Sequence, residues 1–189
     1  VGCIDIYEHL GGDADGKVAV YLKVTVAKSL LDDSADPFAS LFASGQNELT
    51  GVAGTVSKID TELETGLAVQ LSLTKESIAS FVQSKEAEGS SLWRMLFPTI
   101  DNEKIVFSLS NPPGSGAYDN QMGLAMLSSY KYRLTVSRSI CQSISKVVLS
   151  TEDLDYKAQF FALPDMFLIE VPLTYLVKPS KKTELIIYR

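Results

Sequence analysis

Val18-Ala19-Val20-Tyr21-Leu22-Lys23-Val24-Thr25-Val26 decides the fold class of this chain. Val18, Val20, Leu22, Val24 and Val26 share one side of an extended backbone, and Tyr21, Lys23 and Thr25 share the other. That period of two is the mark of a half-buried strand. Just upstream, Ile4 and Ile6 alternate with Asp5, and Gly11-Gly12-Asp13-Ala14-Asp15-Gly16 reads as a turn. The two segments are therefore expected to form a hairpin.

Working outward, Asp36 is placed to cap a helix that begins at Pro37, carries Phe38, Leu41 and Phe42 on one face and stops at Gly45. A second hairpin is expected between Val52 and Leu73, with Leu67, Val69, Leu71 and Leu73 alternating against Ala68, Gln70 and Ser72. Thr74 caps a second helix with Ile78, Phe81 and Val82 inward. A short amphipathic turn, Leu92 to Phe97, ends at Pro98, and Ile105, Phe107 and Leu109 mark a further strand. The last third alternates again, through Tyr130, Tyr132, Leu134 and Val136, then Val147 to Leu149, then Phe160 through Val177, and closes at Leu185 to Tyr188. Pro172 has no N–H to give a ladder, which places its strand at an edge or at a bulge. The expected class is α+β: β-rich antiparallel sheet or sheets with two to three helices packed on one face. The loop Asn111 to Asn120 is the best boundary, dividing an α+β half (1–110) from a mostly β half (111–189) of what is expected to be one domain.

Charge and length exclude several roles. The 189 residues, 46% of them hydrophobic, suffice for a sizeable core. Net charge is −6, and the four arginines, Arg94, Arg133, Arg138 and Arg189, are scattered. Nucleic acid needs a basic patch to displace its counterions, so it is not an expected partner. The longest apolar-rich run, Met166 to Val177, is broken by Glu170, Pro172 and Thr174, short of the roughly 20 residues a spanning helix needs.

The inventory of reactive side chains points away from catalysis, cofactors and metals. His9 is the one histidine, and it falls in or beside the first strand, where a strand residue is the simpler reading. Asp13-Ala14-Asp15-Gly16 resembles the start of a calcium loop, but the twelfth position from Asp13 is Val24, so an acidic turn is expected instead. Glu62 and Glu64 are expected as solvated strand neighbours, and Lys178 to Lys182 as a basic hairpin loop. Met122, Leu124, Met126 and Leu127 follow a glycine-rich loop. Adaptable methionines suit the wall or lid of an apolar pocket, whereas an ordinary core helix explains the same pattern. Trp93 and Phe97, with Leu92 and Leu96, carry the same two readings.

The opening Val1-Gly2-Cys3 resembles the end of a bacterial lipobox, in which the cysteine thiol takes a diacylglycerol. Lipidation of Cys3 would tether the chain to a membrane in the bacterial cell envelope, periplasmic or at the cell surface. A Cys3–Cys141 disulfide and two unrelated thiols remain open alternatives.

Gly2-Cys3, the turn at Gly11 to Gly16, the strand Val18 to Val26, the stretch Gly66 to Phe81 and the late Ile169-Glu170-Val171-Pro172-Leu173 together resemble the LppM-type bacterial lipoproteins in layout. The resemblance implies a lipid-anchored α+β domain with an apolar or glycolipid-binding cleft, and it carries over no catalytic residue. The functional expectation is an extracytoplasmic binding protein for a lipid, glycolipid or other amphipathic ligand. The alternative is a structural or adhesion-type envelope lipoprotein that acts through protein contacts.

Overall fold

The computed structural model describes residues 4–31, 36, 38–49, 54–87, 96–109, 127–177 and 182–189. Within them the chain is α+β, with twelve strands in two sheets and three α-helices. The strands are β1 (Ile4–Gly12), β2 (Val18–Ala27), β3 (Gly54–Asp60), β4 (Glu64–Leu73), β5 (Thr99–Ile100), β6 (Lys104–Ser108), β7 (Lys131–Ser137), β8 (Lys146–Thr151), β9 (Asp155–Lys157), β10 (Gln159–Ala162), β11 (Met166–Pro172) and β12 (Thr183–Tyr188). The helices are α1 (Ala39–Glu48), α2 (Lys75–Ala87) and α3 (Thr174–Val177). Seven strands run in the order β10-β11-β7-β1-β2-β4-β3, and five in the order β5-β6-β12-β8-β9.

The expected first hairpin forms, with Ile4 opposite Val26 and Gly12 opposite Val18. Its turn is held by Asp13, whose Oδ1 accepts from Asp15 N at 3.0 Å and Lys17 N at 2.9 Å. Gly16 takes φ +77°, a value a side chain would resist. Ser72 Oγ donates to Asp13 Oδ2 at 2.6 Å and, with the two backbone bonds, holds that carboxyl below its usual range. The segment is thus an acidic turn, as its spacing suggested.

The expectation of antiparallel sheets is corrected at one seam. β1 pairs with β7 in parallel, Ile6 to Leu10 against Tyr132 to Val136. Parallel neighbours need a long crossover, and everything between residues 12 and 131 supplies it. The Asn111–Asn120 loop, itself outside the described residues, therefore does not separate one sheet from the other. Each sheet takes strands from both sides of it. β9 and β10 are separated by Ala158 alone, so one nearly continuous strand begins in the five-stranded sheet and ends in the seven-stranded one. Leu10, Leu134, Val136 and Ile169 of one sheet and Ile105, Phe107, Leu149, Leu185 and Ile187 of the other belong to a single buried cluster.

Several local expectations also change. Gly45 does not stop α1, which runs on to Glu48 with Leu49 N donating to Gly45 O at 3.0 Å. Gly45 instead lets the helix lie close on β3, since a Cβ there would stand 3.2 Å from Val56 Cγ2. Asp36 is not the cap: α1 begins at Ala39 with Phe38 in the cap position and no side-chain cap bond, and Asp36 instead accepts from Phe38 N at 3.0 Å in the turn ahead of the helix. The strand containing Pro172 is interior, between β10 and β7. Leu173 N donates to Tyr130 O at 2.8 Å, so Pro172 turns its nitrogen to the β10 side, and β10 pairs no further along β11 than Glu170. Alternation then ends, and Thr174–Val177 is helical rather than extended. Glu62 sits in the β3–β4 turn, while Glu64 opens β4 and takes Lys23 Nζ at 3.1 Å, so the two are not a strand pair. Lys178 to Lys181 of the basic cluster lie outside the described residues.

Candidate functional site

α2 starts where Thr74 Oγ1 accepts from Ser77 N at 3.2 Å, the cap its sequence announced. Lys75, Ile78, Ala79, Val82 and Gln83 then recur at helical spacing and form one wall of a groove. The opposite wall is the returning segment Phe97, Pro98, Thr99 and Ile100. The space between the walls is about 430 Å³. Ile78, Val82, Phe97 and Ile100 make it apolar, while Lys75 at the first turn and Gln83 two turns on supply polar ends. Phe81 and Phe97 meet edge to face with centroids 5.5 Å apart, which ties α2 to the returning segment.

Of the residues singled out for ligand binding, Phe97 lines this groove and is 3% exposed. Leu127 is buried in the main cluster at the turn before β7, where Tyr130 N donates to Leu127 O at 3.1 Å, and it is not among the groove residues. Trp93, Met122, Leu124, Met126 and the lipidation candidate Cys3 lie outside the described residues. Cys141 is a free, buried thiol beyond β7, with Sγ donating to Ser143 O at 3.0 Å.

A second feature lies on the inward face of the seven-stranded sheet. Glu8 takes an inward position of β1 between Ile6 and Leu10, and is 1% exposed. Tyr132 OH donates to its Oε2 at 2.6 Å, and among the described residues its Oε1 has no hydrogen-bond partner. Burial pushes the carboxyl up to about 8, against a smaller downward pull from the Tyr132 bond. Tyr132 is itself pushed up by burial and by Glu8. The signal is present in the sequence: period-two alternation places Glu8 among Ile4, Ile6 and Leu10.

On the reverse face of the same strands, His9 Nδ1 lies 2.8 Å and Tyr7 OH 2.9 Å from Thr135 Oγ1. His9 is thus a strand residue tying β1 to β7, and partial burial lowers its pKa. Among the described residues no group of three or more His, Cys, Asp or Glu is placed to hold a metal ion. No described helix is long and apolar enough to cross a membrane.

No protein-family model matches the chain. No curated protein matches it either. Among solved structures it is similar to the folded domain of the Mycobacterium tuberculosis LppM protein, with a TM-score of 0.42 and 12% identity over 98% of this chain and 90% of that one. A likeness of that degree carries no residue's role across.

Proposed function

We propose that this domain is an extracytoplasmic, lipid-anchored binding module that takes an amphipathic ligand, a lipid or glycolipid, along the groove between α2 and Phe97–Ile100. The carrying observation is the groove itself: a helical stripe of apolar side chains facing a second apolar wall, with Lys75 and Gln83 at its polar ends. Its volume of about 430 Å³ falls in the roughly 300–1,000 Å³ range of small-molecule sites. An acyl chain would lie on Ile78, Val82, Phe97 and Ile100, and a polar head would face Lys75. The reading is binding without chemistry, needing no cofactor. The Val1-Gly2-Cys3 tripeptide supports a lipid on Cys3 and a place in the bacterial cell envelope.

Native mass spectrometry of the purified domain tests the groove directly. Wild type carries a lipid-sized adduct, and Val82→Trp, which fills the groove from an only partly buried position, loses it while keeping the wild-type melting temperature within a few degrees. An adduct that survives Val82→Trp unchanged refutes the site. Palmitate labelling of the full-length protein against Cys3→Ser tests the anchor, and equal labelling of both refutes it.

A second reading, an envelope protein working through protein contacts, has one observation in its favour. Phe161 (48% exposed) and Leu163 (41% exposed) stand out at the β10–β11 hairpin. Crosslinking in intact cells that captures a partner through this hairpin, with no lipid adduct in the groove, would favour it.

A further inference from the structure

We propose that Glu8 and Tyr132 form a proton-controlled latch on the β1–β7 joint, closed while the Glu8 carboxyl holds its proton and released toward water when the proton leaves. The joint consists of five registered pairs, Ile6–Tyr132 through Leu10–Val136, and Glu8 opposite Leu134 is the middle one. In the seven-stranded sheet it is the one seam joining β2, β4 and β3 to β7, β11 and β10. A local opening at Glu8 therefore acts at the centre of the joint between the two groups of strands in that sheet.

The two protonation states of the carboxyl fit this place unequally. Tyr132 can donate one hydrogen bond, and it is spent on Oε2. An ionised carboxylate offers about four acceptor sites, and with one donor it would leave Oε1 buried and unpaired. Among the described residues no cation relieves it. The inward neighbours are Ile6 and Leu10 on β1, Leu22 on β2 and Leu134 on β7. Lys23, Asp5, His9 and Arg133 alternate to the reverse face, as does Glu170 on β11. Lys58 shares the inward register on β3, but it is exposed and paired with Asp36. Among the described residues Tyr132 is the one titratable group that acts on the carboxyl. The raised carboxyl, at about 8, agrees with this geometry.

The direction follows from linkage. In the open, hydrated form the carboxyl returns to its ordinary value of 4.5, while in the closed form it stays near 8. Between those values the open form binds fewer protons, so its share rises about tenfold per pH unit and levels off above the closed-form value. The latch is tightest in mild acid.

Hydrogen exchange of the β1 and β7 amides of the intact domain, from pH 5.5 to 7.5, reads this out under conditions where reclosing outruns exchange. Intrinsic exchange alone gives tenfold per pH unit. Wild-type joint amides are expected to speed up about a hundredfold per unit and those of Glu8→Gln only tenfold, while β6 and β12 amides that exchange by local fluctuation, without unfolding of the domain, speed up tenfold in both proteins. A tenfold dependence at the wild-type joint, or a hundredfold one that persists in Glu8→Gln, overturns the latch. A carbon-13 titration of the Glu8 carboxyl in wild type gives an independent answer whether or not the variant folds. A midpoint near 8 supports the latch, and one in the ordinary carboxylate range overturns it.

Discussion

Replacing Glu8 by Gln should stabilise the whole domain, increasingly so as pH rises. The substitution keeps the shape and an acceptor for Tyr132 OH but removes the ionisation. The native carboxyl stands at about 8 against an ordinary value of 4.5. An acid raised on folding binds more protons native than unfolded between those values, so wild-type stability falls as pH rises through that window. At about 1.36 kcal/mol per unit, ionisation of Glu8 withdraws roughly 2.7 kcal/mol between pH 5.5 and 7.5, and on the order of 4 kcal/mol by pH 7.5 in total. His9 works the other way, since its pKa is lowered by partial burial and its contribution grows as pH rises. The informative quantity is therefore the difference between variant and wild type, in which His9 cancels. Urea unfolding at pH 5.5 and 7.5 measures it. The stability gap between Glu8→Gln and wild type should widen by roughly 2–3 kcal/mol from the lower pH to the higher. A gap that stays constant would show that Glu8 does not titrate in this window, and the desolvation argument would fall with it.

Phe97→Ala should cost about 3 kcal/mol, the low end for a buried phenylalanine, because the vacated volume opens into the adjoining groove rather than forming a closed cavity. A urea midpoint shift worth under 1 kcal/mol would place Phe97 outside the core. Gly66→Ala should be more severe than its size suggests. A Cβ there would lie 2.0 Å from Val24 O and 2.8 Å from Thr25 Cα, backbone atoms that no rotamer change can move, so a loss of about 2 kcal/mol or more is expected in thermal unfolding. Gly45→Ala should be close to neutral, since a helix-propensity gain of roughly 1 kcal/mol meets a contact with Val56. In a Val56→Ala background the same substitution should stabilise, and a double-mutant cycle on the melting temperatures checks this.

The local elements are legible because each carries its own signature. The alternation of Val18 to Val26 marks a strand, Thr74 marks a helix start, and the Asp13 to Gly16 run marks a turn. Pairing is not legible. Nothing in Tyr132, Leu134 and Val136 as a sequence names β1 as their neighbour, because any apolar strand face can accept any other, and register is settled by the assembled core. Gly45 misleads for a related reason: a glycine that permits a helix end also permits close packing, and only Val56 across the gap distinguishes them. Of the candidate site, Phe97 stands out through its apolar company. The α2 stripe reads as inward packing by Ile78, Phe81 and Val82, and a gap between that helix and the returning chain has no sequence signature. Glu8 is visible to the strand pattern, as a charge in the wrong register of an apolar face, but a search for familiar catalytic spacings passes over such a residue.

The parallel seam also sets an order of events for the newborn chain. His9 and Thr135, which meet across it, are 126 positions apart. β1–β2 and β3–β4 can form early as hairpins with short turns and meet across the segment that carries α1, but until Lys131–Ser137 has been made, the far side of β1 is an open strand edge. Closing so long a loop is slow, and its entropy is lost before the contact is gained. The emerging amino-terminal half should therefore spend its longest interval as a sticky partial sheet, the period in which a chaperone has most to protect and aggregation most to gain.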